Sequence, residues 1–246
     1  MSADIAALRQ IWKDSFGDTD AVLDAFFATG FSPERCHFLR QEGKIVSALY
    51  WFDCTLQGQR LAYLYAVATD PAHRGKGLAG QLLEQTHARL KGRGYAGAIL
   101  VPGEKRLFDF YEKFGYRTAC QMGEINAHWG ENPVTVNPIT PEDYGRFRAQ
   151  YLPCGGVVQE GAALRYLSTL TGLYRGEDFL LAATVEEDTL AVQEFLGNPN
   201  QIPGILRHFG IPQGRFRTAG QTRDFAMWRP FREYCPKPAY FGLAMD

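Results

Sequence analysis

The most constraining feature of this chain is a glycine-punctuated loop, Arg74-Gly75-Lys76-Gly77-Leu78-Ala79, set between a strand pattern and a helix pattern. Upstream, Leu61 to Thr69 is rich in aromatic and apolar residues and stops at Asp70-Pro71. Downstream, Ala79, Leu82, Leu83, Thr86 and Leu90 recur at helical spacing over Leu78 to Lys91. A helix that starts directly after such a loop turns its first backbone N–H groups, which lack intrahelical acceptors, toward one point. Gly75 and Gly77 let the backbone come close to an anion, and Arg74 and Lys76 add positive charge.

That charge has to be local. Lys plus Arg total 26 against 27 Asp plus Glu, a net −1, so no global field draws nucleic acid or an anionic membrane surface. Two common phosphate loops are then tested against the residues. The Gly-Lys-Ser/Thr ending of a nucleotide-hydrolysing P-loop is missing. Gly75-Lys76-Gly77-Leu78-Ala79-Gly80 does read G-x-G-x-x-G. However, Asp70 to Arg74 separate it from the strand, and Tyr95 to Gly103 offers no acid for a ribose, which argues against a dinucleotide fold.

The rest of the chain supplies context. Leu8, Ile11, Trp12 and Phe16, then Val22, Leu23, Phe26 and Phe27, predict two amphipathic helices. His37 to Arg40, Ile45 to Cys54 and Leu61 to Thr69, separated by Gly43 and Gly58, predict an antiparallel meander. After the loop and its helix come a strand (Tyr95 to Val101), a short helix (Glu104 to Phe114) and a strand from Tyr116. Asn132 to Pro141, with three prolines, reads as a boundary. Beyond it, Pro141 to Tyr151 and Gly161 to Leu173 read as helices, and Phe179 to Val185 and Thr189 to Leu196 as strands. A helix to His208 follows, then strands Arg215 to Ala219 and Asp224 to Pro230. The order strand, loop, helix, strand thus recurs, which reads as a second, diverged copy of the unit, with an unrelated cap domain as the alternative; past residue 128 Lys237 is the only lysine. At 246 residues the chain has room for two such units.

No window approaches the roughly 20 apolar residues of a membrane span, and the N-terminus lacks a basic leader, so a cytoplasmic protein is expected. The five cysteines are scattered without a C-x-x-C pair, which points to reduced fillers and to no metal site.

The stretch from Tyr63 to Tyr116 resembles the acetyl-CoA segment of the GNAT (GCN5-related) N-acetyltransferases. Their signature R/Q-x-x-G-x-G/A is met as Arg74-x-x-Gly77-x-Ala79. The downstream Tyr111-Glu112-Lys113-Phe114-Gly115-Tyr116 stands at the family's distance. The flavour of Val67-Ala68-Thr69 and Leu107-Phe108-Asp109-Phe110-Tyr111 is similar to the two-domain, Eis-like branch. The resemblance implies an α/β (α+β) chain: a GNAT fold with a mixed, mostly antiparallel sheet flanked by helices, and a second, diverged GNAT-like domain. Residues 1–130 would be the acetyl-CoA-binding domain and residues 131–246 a degenerate GNAT-like one.

The resemblance also implies roles. The strand before the loop would splay from its neighbour at a bulge, so that Val67 and Thr69 present backbone groups to the pantetheine arm. Arg74, Gly75, Lys76, Gly77, Leu78 and Ala79 would hold the pyrophosphate, and Tyr111 would protonate the departing thiolate as general acid. The activity implied is acetyl-CoA-dependent transfer to a primary amine of a small molecule or peptide, by direct attack in a ternary complex. A non-catalytic acyl-CoA-binding or regulatory protein, or an acyltransferase with another acyl-CoA, are the alternatives. Leu61 to Val67 contains no acid to serve as base; Asp53, Glu124, the terminal Asp246 or a water chain are candidates. Gly197 to Gly204 stands where a second cofactor loop would be, without its arginine or glycine spacing, and Pro203 removes a donor. Tyr63, Tyr65 and Trp51 could be core or could line an acceptor pocket. His73 and His87 read as solvated, Arg89, Lys91 and Arg93 as a solvated helix end, and Glu186-Glu187-Asp188 as a turn.

Overall fold

A computed structural model describes residues 3–245. The chain divides into two compact units, one running to Arg117 and including Met227–Pro236, the other comprising Thr118–Ala226 and the chain from Lys237 onward.

The first unit opens with α1 (Ala3–Phe16) and α2 (Asp20–Ala25), the latter continued by a π-helical turn, Phe26–Gly30, that the periodicity does not anticipate. The turn brings Phe26 against Trp12 of α1, with ring centroids 4.6 Å apart. An antiparallel meander comes next: β1 (Cys36–Gln41), β2 (Lys44–Leu56) and β3 (Gln59–Thr69). Then come α3 (Leu78–Gly92), β4 (Gly97–Leu100), which runs parallel to β3, and α4 (Lys105–Glu112).

Alternation along the strands decides which helix each side chain meets. Tyr50 pairs with Tyr65 and Phe52 with Tyr63, and their rings gather with Trp12 and Phe26. Trp51 and its partner Leu64 point the other way, into the core built on Leu82, Leu83 and Leu90 of α3. Trp51 therefore does not share a face with Tyr63 and Tyr65, and its indole N–H donates to the Tyr95 hydroxyl at 3.1 Å.

The second unit contains β5 (Arg117–His128), β6 (Asn137–Pro138), α5 (Pro141–Tyr151), β7 (Val158–Gln159) and α6 (Ala162–Leu170). It continues with β8 (Gly172–Arg175), β9 (Phe179–Glu186), β10 (Thr189–Gly197), α7 (Ile202–Phe209) and β11 (Gln213–Ala219); the last strand, β12 (Arg223–Pro230), starts in this unit and from Met227 belongs to the first. The predicted helix to Leu173 ends early: Thr171 leaves the helical region, and β8 pairs with β9 instead. Ile202, Ile205 and Leu206 of α7 pack on Leu181, Leu190, Val192 and Phe216.

Each unit shows the same order: two helices, an antiparallel three-strand meander, a helix, a parallel strand, and an antiparallel closing strand. The closing strands are exchanged along the sequence. Met227–Pro230 of β12 pairs with β4 in the first unit, while β5 pairs with β11 in the second. Sequence periodicity carries no signal for this exchange, because it depends on which strand edge each closing strand finds.

Candidate active site

The predicted site residues of the first unit gather at the end of β3 and the start of α3. Register along β2 and β3 slips by one: Ala48 faces Ala68 and Tyr50 faces Tyr65, so Ala66 and Val67 stand opposite Leu49 alone. Ala66 takes φ 48°, left-handed for a non-glycine residue, which is how the strand absorbs its extra residue. Pairing of β3 with β4 covers only Leu61 to Tyr63. Leu64 to Thr69, about 20 Å of strand, runs on past it and carries Val67 and Thr69. The Ser47 hydroxyl steadies this end, donating to the Ala68 carbonyl at 2.8 Å and lying 2.9 Å from the Thr69 hydroxyl.

Beyond Thr69 the Asp70 carboxylate caps the turn Pro71–His73, accepting from the Ala72 N–H at 2.9 Å and lying 3.1 Å from His73 Nδ1. Arg74 is exposed; it donates from Nε to the Thr69 carbonyl (3.1 Å) and from Nη2 to Ser15 Oγ (3.3 Å). Gly75 and Gly77 have φ 77° and 76°, and a Cβ on either would meet nothing within 4 Å. Left-handed backbone with open space in front is what an approaching phosphate requires. Lys76 is exposed beside them. Gly77 is the N-cap of α3 and offers no side chain to its first turn. The first bond inside the helix is Gln81 N–H to the Gly77 carbonyl (3.1 Å), leaving the Leu78, Ala79 and Gly80 N–H groups ahead of it without intrahelical acceptors.

Helix α4 is tied to this end of α3. A Cβ on Gly80 would stand 2.6 Å from the Phe114 ring, so that glycine is what allows the approach. One turn earlier, Tyr111 is 8% exposed and shares a core with Val67 and Leu78. Burial pushes its hydroxyl up to about 12, so it carries its proton throughout the neutral range.

The base candidates fall elsewhere. Asp53 is held by Arg60 (3.0 Å), Arg35 (3.5 Å) and the Tyr95 hydroxyl, opposite Ala62 and far down β3 from the bulge. Glu124 belongs to the second unit, where it lines a groove with Glu186, Arg215, Arg217 and Arg223. Asp246 lies outside the described residues.

One further reading needs correction. His87 is buried at 4% exposure on the core face of α3, between Arg229 and Tyr116. Only spatial neighbours from distant sequence could have signalled this. Arg89 and Arg93 are exposed at the helix end, as their sequence suggests, and donate to the carbonyls of Cys36 (3.1 Å) and Glu34 (2.6 Å) while lying over the Trp51 ring.

In the second unit, β10 repeats the bulge: Val192 faces Ala183 and Glu194 faces Ala182, with Gln193 extra. The next segment differs. Asn198 caps a 3-10 turn, Pro199–Gln201, and α7 begins at Ile202 with a proline in its first turn. Gly130 N–H donates to the Pro203 carbonyl (2.9 Å) and Val134 N–H to that of Gly204 (3.2 Å), and a Cβ on Gly204 would stand 2.6 Å from the Val134 side chain, so this helix start is covered by the preceding chain. Among the described residues, no helix is long and apolar enough to cross a membrane.

Comparison with known proteins agrees with this geometry. Residues 1–119 match the family model described as an acetyltransferase (GNAT) domain. A curated relative, the L-2,4-diaminobutyric acid acetyltransferase of Halalkalibacterium halodurans, is 23% identical over 150 residues, 56% of this chain and 79% of that protein. Among solved structures, a GCN5-related N-acetyltransferase from Anabaena variabilis superposes with TM-score 0.73 at 16% identity, covering 94% of this chain and 71% of that one. Eis1 from Mycobacterium abscessus does so with TM-score 0.67 at 13% identity, covering 94% and 72%. Residues 1–119 are therefore an acetyltransferase domain of the GNAT superfamily, and the chain shares its fold with Eis-type proteins.

Proposed function

We propose that the first unit binds acetyl-CoA and that the protein transfers the acetyl group to a primary amine by direct attack in a ternary complex. One observation carries this reading: the β3 bulge and unpaired strand edge lead directly into a loop whose two left-handed glycines face open space at a helix start. Val67 and Thr69 would hydrogen-bond the pantetheine arm along that edge. Arg74, Lys76 and the N–H groups from Gly75 to Ala79 would hold the pyrophosphate. Acetyl-CoA supplies an activated acyl group as a thioester. The Tyr111 hydroxyl donates its proton to the departing sulfur as the new bond to nitrogen forms and the carbon–sulfur bond breaks; the neutral amine that attacks loses one proton to solvent, and the tyrosinate takes one back from it.

Along the sequence we read residues 1–130 as the acetyl-CoA-binding domain and residues 131–246 as a degenerate GNAT-like domain without a cofactor site. The covered start of α7 supports that division. The acceptor is taken to be a small molecule or peptide; the relative named for 2,4-diaminobutyrate makes small diamino acids the first class to try.

The test is release of free CoA thiol from acetyl-CoA across diamino acids, polyamines, peptides and aminoglycosides. Amine-dependent release is expected, and Tyr111→Phe should lower kcat about 100-fold while acetyl-CoA affinity stays within twofold. Tight acetyl-CoA binding with no amine-dependent release would instead identify an acyl-CoA-binding protein. Faster release from a longer acyl-CoA would replace the donor.

A further inference from the structure

The first unit holds a buried polar chain that this chemistry does not use. Arg229 Nη1 lies 2.6 Å from His87 Nδ1, and His87 Nε2 lies 2.8 Å from the Tyr116 hydroxyl. A guanidinium has only donors, so Nδ1 accepts, the ring proton sits on Nε2, and Nε2 donates to Tyr116. The Tyr116 oxygen is thereby engaged as an acceptor, which fixes the ring in its slot. That ring meets Tyr111 edge-on, with centroids 5.7 Å apart at 68°. The Tyr116 N–H also donates to the Tyr111 carbonyl at 3.3 Å.

The imidazole and the phenol are enclosed, and Arg229 is half-buried. His87 and Tyr116 are 4% and 1% exposed, and Phe231 closes the far side of the imidazole at 5.6 Å between rings. Burial, with Arg229 adding to it, lowers the His87 titration to about 3, so the ring stays neutral and the chain keeps one direction. Gly115, with φ 78°, makes the left-handed turn between Tyr111 and Tyr116, and the Arg229 side chain lies in van der Waals contact with this turn. Arg229 arrives on β12, which comes more than a hundred residues after Tyr111 and pairs with β4 here.

We infer that Arg229, His87 and Tyr116 are positioning residues for Tyr111: they hold its ring where its hydroxyl serves as the general acid, so the late strand β12 is required for turnover. The inference rests on the acetyl-transfer reading above. Tyr111 itself has few polar restraints, and a hydroxyl displaced by about 1 Å loses much of its catalytic value.

Tyr116→Phe keeps the ring and removes the acceptor. It is expected to lower kcat about tenfold with KM for acetyl-CoA unchanged. Arg229→Met should do the same, and Arg229→Lys should restore part of the loss. Imidazole-¹⁵N NMR reads the chain without turnover: His87, assigned by the signal lost in His87→Gln, should show the Nε2–H tautomer, and Arg229→Met should abolish that fixed state. Unchanged kcat in folded Tyr116→Phe, or a loss confined to KM, overturns the inference alone. An Nδ1–H tautomer at His87 also overturns it. Wild-type protein that releases no thiol with any amine removes the acetyl-transfer reading, and the inference with it, whatever the NMR shows.

Discussion

The two units pass through the same elements, and both place one extra residue in the third strand of the meander, at Ala66–Val67 in β3 and Gln193 in β10. Beyond the bulge the two diverge. In the first unit the strand edge runs on uncharged from Leu64 to Thr69, and the loop after it is open in front of Gly75 and Gly77. In the second unit Glu194 comes next, fully buried, with Arg148 donating to it at 2.7 and 2.9 Å and the Tyr144 and Tyr240 hydroxyls each at 3.0 Å. The helix start after it is covered by Gly130 and Val134. The second unit also replaces the helix that carries Tyr111: β11 reaches β12 through Gly220–Thr222 alone. Patterning alone can repeat a fold, whereas a cofactor site needs backbone left unoccupied at a few positions.

The largest effect should come from the buried pair of the second unit. Arg148→Met leaves Glu194 uncompensated in the core, which should cost about 3–5 kcal/mol, while Arg148→Met with Glu194→Met should recover most of it. Urea unfolding combined with hydrogen exchange in β9 and β10 would measure both. If the second unit is scaffold only, acetyl-CoA affinity of the folded variant stays within twofold. A parallel loss of affinity would assign the second unit a part in cofactor binding.

Next in size is Gly77→Asp, which combines an unfavourable φ with a negative charge in the cradle. Calorimetry should show at least a 100-fold weaker affinity for CoA, about 2.7 kcal/mol, whereas Pro203→Ala at the start of α7 should change nothing. The wild type should bind one CoA per chain. Two sites, or equal binding by Gly77→Asp, would erase the distinction between the units.

How much of the fold and site is legible in the residues depends on the range of each interaction. Strand β3, helix α3 and the loop between them are local patterns, and they appear within a residue or two of where Leu61–Thr69 and Leu78–Lys91 predict them. The bulge, by contrast, requires knowing that Tyr65 faces Tyr50 and Ala68 faces Ala48, a register no single strand encodes. His87 falls on a helix flank and reads as solvated. Its burial comes from Tyr116 and from Arg229, which lies 142 positions away in sequence. Strand β8 is hidden for a related reason: Gly172–Arg175 continues a helical apolar pattern and becomes strand only because β9 offers it an edge.

The smallest effect also distinguishes the units, this time by pH. His87 titrates near 3 in the fold and near 6.5 when unfolded, burial being the main cause and Arg229 the second. Above pH 6.5 both states are neutral and His87 makes no pH-dependent contribution. Below it the unfolded chain takes up a proton that the folded one does not, so stability falls as pH drops, by up to about 1.4 kcal/mol per unit. Between pH 8 and pH 5 that amounts to about 2 kcal/mol. His87→Gln keeps a donor toward Tyr116 and has nothing to titrate, so the difference between wild type and variant isolates this group from the carboxylates. Urea midpoints at the two pH values should converge by that amount in the variant, and exchange of α3 amides, not those of α7, should carry the change. Equal acid sensitivity in the two proteins would mean that His87 is accessible to protons in the folded state, and would remove the fixed tautomer on which the Arg229 chain depends.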